Sequence, residues 1–318
     1  SEMCIRDRSN FSHISVLRDE AIEALQPREN GVYLDGTFGG GGYSRVILER
    51  AKCRLFGVDR DPDALPRAAE LTAAHAGRFE LISGRISEIS EMMAARGVAR
   101  LDGAVFDLGL SSFQIDDPAR GFSFRQDGPL DMRMSRDGQS AADLVNLCAE
   151  SDLADILYKY GDEKAARRIA KQIVERRKAQ KFTTTADLAG VIRSVVRPDK
   201  SGIDPATRSF QALRIAVNEE LSDIEAALAQ SAALLAPGGR LVVVSFHSLE
   251  DRIVKHFFAQ RAGRTPGASR HDPAGLAQAS APEFRLVTKS PILPGQAEIR
   301  ANPRARSAKL RVMERLAA

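Results

Sequence analysis

The sequence has few of the residues that build disulfide-rich or zinc-binding domains. Its three cysteines, Cys4, Cys53 and Cys148, are odd in number and far apart, and no two of them have CxxC spacing. This pattern disfavours a disulfide framework and a zinc site, and it suits a reducing compartment. We therefore expect a cytoplasmic protein without a metal site.

Long apolar runs are also absent. The sequence has no stretch of about 18 apolar residues, which excludes a membrane-spanning helix. The first residues include Glu2, Arg6, Asp7 and Arg8 and no apolar segment, so a secretory signal is not indicated. We expect residues 1–12 to be a disordered or non-native tail, and we expect no membrane partner.

The net charge of the whole chain is small, but basic residues are concentrated in two segments. The 318 residues include 46 Lys and Arg against 42 Asp and Glu, a net charge of +4. Residues 159–214 alone have 14 basic and 6 acidic residues, a local +8, and residues 283–318 carry +5. Local basicity indicates a polyanionic partner, but charge alone does not separate RNA from DNA or a membrane surface.

The first half of the chain alternates short apolar runs with helical patterns, which is typical of βαβ units around a parallel sheet. The pattern stops near residue 114 and resumes near residue 210. Strands are predicted at 31–35, 54–59, 79–83, 103–107 and 240–245, and two final strands that could pair antiparallel at 284–289 and 308–316. Helices are predicted at 44–51, 62–74, 86–95, 152–160, 163–179, 185–196, 210–235 and 249–261.

These elements predict an α/β fold with one interrupted domain. Residues 13–113 and 216–318 are expected to form a doubly wound, class I (Rossmann-like) sheet. Residues 114–215 are expected to form a mostly helical insertion that begins with an irregular segment at 115–137. The Gly, Ala, Pro and Ser-rich stretch 264–282 is predicted to be a mobile loop.

A glycine-rich loop, Asp35-Gly-Thr-Phe-Gly-Gly-Gly-Gly42, follows the first strand, where open α/β sheets bind ligands. Neither possible register completes a dinucleotide-binding G-x-G-x-x-G pattern, since Ser44 and Arg45 stand at the third position, and no P-loop lysine follows. A dehydrogenase is therefore disfavoured. A second acid, Asp59, ends strand two. The layout resembles that of class I S-adenosylmethionine-dependent methyltransferases, in which this acid accepts both ribose hydroxyls.

Nine motifs, in one order along nearly the whole chain, carry a more specific resemblance. They are His13-Ile-Ser-Val-Leu, Asp35-Gly-Thr-Phe-Gly, Asp59-Arg-Asp-Pro62, Asp107-Leu-Gly-Leu-Ser-Ser112, Arg120-Gly-Phe-Ser-Phe124 leading to Gly128-Pro-Leu-Asp-Met-Arg-Met134, Tyr160-Gly-Asp-Glu163, Arg208-Ser-Phe-Gln-Ala-Leu-Arg214, Ser245-Phe-His-Ser-Leu-Glu-Asp-Arg252 and Asn302-Pro-Arg-Ala-Arg-Ser307. Together they resemble the ribosomal small-subunit methyltransferase H (MraW-like) family.

The resemblance implies methyl transfer from S-adenosylmethionine to the exocyclic N4 of a cytidine in 16S rRNA near the decoding site. The partner would be 16S rRNA within the small ribosomal subunit, and a homodimer is one option for the oligomeric state. The insertion would then be an RNA-recognition domain. Transferred to this sequence, the cofactor-binding residues are Gly39, Gly41, Gly42, Tyr43, Asp59, Ile86, Asp107 and Gln114.

The chain departs from the family pattern at two of these positions. Tyr43 stands where many relatives have histidine, and Ile86 stands where they have an aromatic residue. A contact through the backbone at Tyr43 does not depend on the side chain. Stacking of an aromatic side chain on the adenine is not available at Ile86.

The candidate catalytic residues follow strands four and five. The amino nitrogen of cytosine is a poor nucleophile, so a site must position it and accept hydrogen bonds from its protons. The Pro-Pro-aromatic motif of many amino-methyltransferases is missing after Asp107, although Phe113 follows. We predict Asp107 and the backbone of 109–112 as acceptors, with a contact to the cofactor amine alone as the alternative. His247 is predicted to shape the base pocket and Ser248, spaced to Asp251, to cap the next helix.

The basic insertion leaves a further choice open. Lys164, Arg168 and Lys171 fall on one helical face, with Arg167 beside them. A solvated charged face is the ordinary interpretation, and phosphate contact becomes the better one if the substrate is RNA. Two alternatives remain. One is a small-molecule or protein methyltransferase on the same fold, and the other is a non-catalytic RNA-binding or assembly protein.

Overall fold

The apolar runs that end in aspartate form neighbouring strands of one sheet in the computed structural model. The structure describes residues 15–198, 202–264 and 282–317; the predicted tail, His13 and nearly all of the predicted loop at 264–282 lie outside these ranges. The strands are β1 (Val32–Asp35), β2 (Arg54–Asp59), β3 (Phe79–Ser83), β4 (Leu101–Asp107), β5 (Leu235–Ser245), β6 (Phe284–Leu286) and β7 (Lys309–Arg315).

The sheet has the strand order β3-β2-β1-β4-β5-β7-β6. Strands β1 to β5 are parallel, and β7 runs antiparallel to both β5 and β6. The order reverses between β1 and β4, and ligand crevices of open α/β sheets lie beyond the carboxyl ends of strands at such a switch point. The predicted class I methyltransferase fold and the antiparallel final pair are confirmed.

Helices cover both faces of the sheet. Successive side chains of a strand point to opposite faces; Tyr33 packs in one buried cluster with Leu55, and Leu34 packs in the other with Phe56. None of the described helices is long and apolar enough to cross a membrane. The helices are α1 (Arg18–Leu25), α2 (Gly42–Arg50), α3 (Ala64–Ala74), α4 (Ile89–Ala94), α5 (Ser112–Ile115), α6 (Ala141–Leu147), α7 (Glu150–Gly161), α8 (Ala166–Ala179), α9 (Thr185–Val195), α10 (Ala206–Asn218), α11 (Glu220–Leu234), α12 (Ser248–Arg261) and α13 (Gln296–Ala301).

The segment between β4 and α11 forms a separate layer with its own apolar core. Buried residues from α7, α8, α9 and α10, such as Leu153, Ile173, Leu188 and Leu213, pack together in a cluster distinct from the two that flank the sheet. Among its described residues, the only β-type pairing within this segment is the isolated bridge between Pro129 and Thr184. A mostly helical insertion is what the missing strand patterns indicate.

The prediction of one long helix over 210–235 is wrong, because the structure has two helices there. Helix α10 ends at Asn218, and Glu219 adopts the left-handed conformation (φ 53°) before α11 begins. A non-glycine residue rarely adopts this conformation without a compensating contact. The preceding residue, Asn218, is fixed by its side chain, which donates to the carbonyl of Met132 (2.7 Å) and accepts from the amide of Met134 (2.9 Å).

Candidate functional site

A cavity of about 530 Å³ opens at the carboxyl edge of the parallel strands. Its walls include Gly39 after β1, Asp59 at the end of β2, Asp107 at the end of β4 and Phe246 after β5. Further residues come from the insertion and from the C-terminal segment: Met134, Thr207, Arg214, Asn302 and Arg304. The volume falls within the range of small-molecule and cofactor sites.

Most residues of the predicted cofactor set meet in this cavity. Gly39, Tyr43, Asp59, Ile86, Asp107 and Gln114 all line it. Gly41 and Gly42 are not among the lining residues. Gly41 has φ 75°, and a Cβ atom there would lie 2.8 Å from the Phe38 ring, while a Cβ on Gly42 would lie 2.1 Å from Ser15 Oγ. The structure thus accounts for these two glycines by packing, and their contact with a cofactor stays a prediction.

Asp59 is held rigidly at the end of β2. Its Oδ2 accepts a hydrogen bond from the amide of Gly39 (2.8 Å), and its Oδ1 accepts one from the amide of Asp61 (2.8 Å). Burial raises the pKa of this carboxyl group. Because each carboxylate oxygen can accept more than one hydrogen bond, Asp59 can organise the glycine loop and still accept two hydroxyl donors.

Asp61 connects this acid to the insertion. The buried guanidinium of Arg120 donates to Asp61 Oδ2 (2.8 Å) and to the carbonyl of Met134 (2.8 Å). Gln114 Nε2 donates to the same Asp61 oxygen (2.9 Å), and its Oε1 accepts from the amide of Ser111 (3.1 Å). The predicted role of Gln114 therefore includes a structural part, since both ends of its amide have protein partners.

Tyr43 and Ile86 form less polar parts of the wall. The Tyr43 hydroxyl donates to the carbonyl of Val16, and its ring is buried. Ile86 begins a single 3₁₀ turn after β3 and is half-buried. An apolar side chain at Ile86 can flank a flat ring without the stacking that an aromatic residue would add.

Asp107 has an unusual environment. Its Oδ1 is buried and has no hydrogen-bond partner among the described residues. Burial, reinforced by the negative charges of Asp35 and Glu250, raises the pKa of Asp107 well above the ordinary carboxyl value. A buried oxygen without a hydrogen-bond partner lowers the free energy of unfolding. Carboxyl groups in clefts whose pKa is strongly shifted are candidates for function. Its geometry suits a ligand that brings an N–H donor.

His247 lines the cavity, but its ring nitrogens face Glu250. Nδ1 accepts from the amide of Glu250 (3.4 Å), and the buried Nε2 lies 3.0 Å from Glu250 Oε1. His247 is therefore the N-cap of α12, and the prediction that Ser248 is the cap is wrong. With its Nε2 buried, His247 contributes shape to the pocket and offers no exposed base.

Sequence reasoning missed a charged cluster behind His247. Arg214 donates to both oxygens of Glu220, at 2.7 and 2.8 Å. Glu220, His247 and Glu250 each place one ligating atom within 4.8 Å of the others. These are the donor types of a metal site, and Arg214 places a positive charge directly beside them. Arg214 and Glu250 lie in two of the nine motifs, and this was the sequence feature that could have indicated the cluster.

Four basic residues around the start of α8 are exposed and carry charges that are unpaired within the described ranges. Lys164, Arg167, Arg168 and Lys171 are exposed, and none forms an ion pair with a described residue. Further along α8, Arg176 pairs with Asp187 (2.9 Å), Lys178 pairs with Glu175 (2.8 Å), and Arg177 donates to the carbonyl of Val145 (2.7 Å). Helix α8 begins at Ala166, so Lys164 lies just before it rather than on its face.

A smaller cavity lies between the start of α8 and the start of α10. Thr207 of α10 lines the main cavity, and the next residue, Arg208, lines a smaller one of about 70 Å³. Arg197 and Glu163 line the same small cavity, and Glu163 directly precedes Lys164. The chain neighbours of Lys164 and of Thr207 thus meet in this small cavity.

Comparison with known proteins agrees with the motif series. The sequence profile of the MraW methylase family matches residues 10–316. The "Ribosomal RNA small subunit methyltransferase H" of Acidiphilium cryptum is 63% identical over 309 residues, which cover 97% of this chain and 99% of the relative. That of Granulibacter bethesdensis is 56% identical, with 96% and 92% covered. Among solved structures, NSun6 from Pyrococcus horikoshii is 12% identical, with a TM-score of 0.45 and coverage of 96% and 53%.

Proposed function

The chain belongs to the MraW methylase family, and from this premise we propose that it transfers a methyl group from S-adenosylmethionine to the exocyclic N4 of a cytidine in 16S rRNA near the decoding site. The relatives' name, which specifies small-subunit rRNA, supports the substrate class. The single observation that supports the chemistry is the buried Oδ1 of Asp107 on the cavity wall, which has no hydrogen-bond partner in the described ranges.

The donor set of the cavity fits S-adenosylmethionine. Asp59 would accept the ribose hydroxyls, Ile86 would flank the adenine, and the loop at Gly39 would pass beside the methionine part. The positions of these residues on one wall support the assignment. When bound, the cofactor supplies an electrophilic methyl group on a sulfonium.

Asp107 would act on the amino group of the cytosine. Its carboxylate would accept a hydrogen bond from one N–H, which orients the nitrogen and places negative charge beside it as positive charge develops. The Leu108–Ser112 loop follows directly and shares the cavity wall. As the nitrogen bonds to the methyl carbon and the carbon–sulfur bond breaks, the N–H proton would pass to the Asp107 carboxylate, so no further exposed base is needed, which agrees with the burial of His247 Nε2.

Phe113 would stack on a base at the mouth of the site. It is 47% exposed, lines the cavity and lies under the guanidinium of Arg67 (4.7 Å to the ring centroid). Stacking on an aromatic side chain contributes about 1–3 kcal/mol per base. We expect Phe113→Ala to raise KM for rRNA about tenfold, and Phe113→Tyr to restore it. An equal loss of cofactor affinity in the alanine variant would instead place Phe113 in the cofactor site.

The exposed cations of the insertion would contact RNA phosphates. Replacing Lys164, Arg167, Arg168 and Lys171 together with glutamine should reduce the slope of log K against log salt by about 3, because each lost phosphate contact removes about 0.7–0.9. The measurement is rRNA binding at several salt concentrations. Lys159→Gln and Lys178→Gln are the controls, since both lysines are held in ion pairs. An unchanged slope in the fourfold variant would remove the insertion from the interface.

Methyl transfer to defined RNA tests the proposal. Isolated small subunits, naked 16S rRNA and, as a control, 23S rRNA, all from cells that lack this protein, would be incubated with it and with S-adenosylmethionine carrying a labelled methyl group. Incorporation into 16S rRNA is expected and none into 23S rRNA. Label in protein instead would favour a protein methyltransferase. Calorimetry without measurable cofactor affinity would favour a non-catalytic RNA-binding protein.

A further inference from the structure

Glu250 is the most enclosed acid of the site, with no exposed surface. Its Oε2 accepts from the amides of Phe246 (2.8 Å) and His247 (3.2 Å), which are the two residues between β5 and α12. Its Oε1 lies 3.0 Å from His247 Nε2. One carboxylate therefore holds both the backbone and the side chain of the loop that forms this wall of the cavity.

The same carboxylate also faces the loop that follows β4. A Cβ atom on Gly109 would lie 3.7 Å from Glu250 Oε1 and 3.8 Å from the Phe246 ring. Gly109 has φ 95°, so the chain passes close over Glu250 only two residues after Asp107. Glu250 thus lies where the two loops that form this wall meet.

We propose that Glu250 is a positioning residue for methyl transfer: it fixes Phe246 and His247 against the Asp107 loop and sets the electrostatic environment of the Asp107 carboxylate. The inference rests on the proposed function, because it assigns a role to Glu250 through Asp107. Glu250 does not touch the substrate, because its Oε1 is buried and lies against His247 Nε2 (3.0 Å).

The charged groups around this pair come from several elements. Asp35 on β1 and Glu250 on α12 both raise the pKa of Asp107, after the larger effect of burial. Tyr43 on α2 also faces Asp107. On the other side, Glu250 faces His247 and the Arg214–Glu220 pair. Removing the Glu250 charge takes away one of the two acids that repel the ionised form of Asp107.

Two substitutions separate the charge of Glu250 from its reach. Glu250→Gln keeps the length and removes the charge, and Glu250→Asp keeps the charge and shortens the side chain. Both should lower kcat about tenfold at unchanged cofactor affinity, because aspartate no longer reaches the two amides and the neutral glutamine accepts weaker hydrogen bonds from them. Only Glu250→Gln should move the acid limb of the pH–rate profile to lower pH, by up to about one unit, because a like charge near Asp107 is lost.

Asp251→Asn is the matched control on the same turn. Asp251 accepts from Lys309 (2.9 Å) and Arg311 (2.7 Å) and does not line the cavity. Its loss should lower the melting temperature without moving the acid limb. A Glu250→Gln enzyme with wild-type kcat and an unmoved acid limb would overturn the proposal. So would loss of wild-type activity in EDTA with recovery in Mg²⁺, which would make Glu220, His247 and Glu250 a cation site.

A direct titration of Asp107 tests the role of Glu250 without depending on methyl transfer. Carbon NMR of labelled aspartate carboxyls, with Asp107 assigned by its disappearance in Asp107→Asn, reports the pKa of Asp107 without turnover. A lower pKa in Glu250→Gln is expected, and an unchanged one contradicts the proposal. If the wild-type protein methylates no RNA, the proposed function fails while this readout still tests Glu250.

Discussion

Asp107→Asn is expected to lower kcat by about 10²–10³-fold at saturating cofactor, while the dissociation constant for S-adenosylmethionine changes by less than about threefold. The reason is that the amide would replace the charge that Asp107 presents to the amino group in the proposed mechanism, and a preorganised charge of this kind contributes about this much. Single-turnover methyl transfer to 16S rRNA measures the rate, and calorimetry measures the affinity.

Asp102→Asn is the control for this experiment, because it makes the same change on the same strand at the opposite edge of the sheet. The Asp102 carboxylate there bonds to Arg28 and to the amide of Val32. Near-normal turnover of Asp107→Asn at saturating cofactor would contradict the acceptor role. A large rise in the dissociation constant alone would assign Asp107 to the cofactor amine.

We also expect Asp107→Asn to change how the stability of the protein depends on pH. Since the pKa of Asp107 is raised in the folded protein, the wild-type protein loses stability as the pH rises through that pKa, because the buried group must then ionise. Asp107→Asn lacks this cost. Its melting temperature should therefore be at least that of the wild type at pH 8, with a smaller decline between acidic and alkaline pH.

Asp59→Ala is expected to raise the dissociation constant for S-adenosylmethionine about 10²-fold or more. A hydrogen bond to a charged group contributes about 1.5–3 kcal/mol, and two such bonds to the ribose would be lost. The loop at Gly39 would also lose the acceptor that fixes its amide. Calorimetry without RNA isolates this effect from substrate binding.

Asp102→Ala is the matched control, since its carboxylate also accepts a backbone amide hydrogen bond of 2.8 Å but lies away from the cavity. It should bind the cofactor like the wild type. An Asp59→Ala variant with wild-type affinity would mean that the ribose does not lie at the end of β2, and the orientation of the cofactor in the cavity would have to be revised.

The sheet and the acids at its edge could be predicted from the sequence because they depend on local patterns. A buried parallel strand is a short apolar run, and here three such runs end in Asp35, Asp59 and Asp107. Parallel strands bring their carboxyl ends to one edge. The positions of Asp59 and Asp107 on one cavity wall follow from this rule alone.

The remaining features depend on contacts between distant segments. The apolar spacing of α10 continues into α11, so nothing local marks the break at Glu219. At that break, Asn218 donates to the carbonyl of Met132 and accepts from the amide of Met134, and these contacts join segments that are far apart in the sequence. Ser248 is a favoured cap type, yet the reach of Glu250 to the amides of Phe246 and His247 selects His247.

Nucleoside mass spectrometry of 16S rRNA tests the central claim most directly. The rRNA, from cells lacking this protein, would be incubated with the protein and S-adenosylmethionine carrying a deuterated methyl group, then digested. The account predicts one labelled methyl on the exocyclic nitrogen of a cytidine in a fragment from the decoding region, and its loss with Asp107→Asn. Unmodified cytidine, or label on a ring carbon or a ribose, would contradict it.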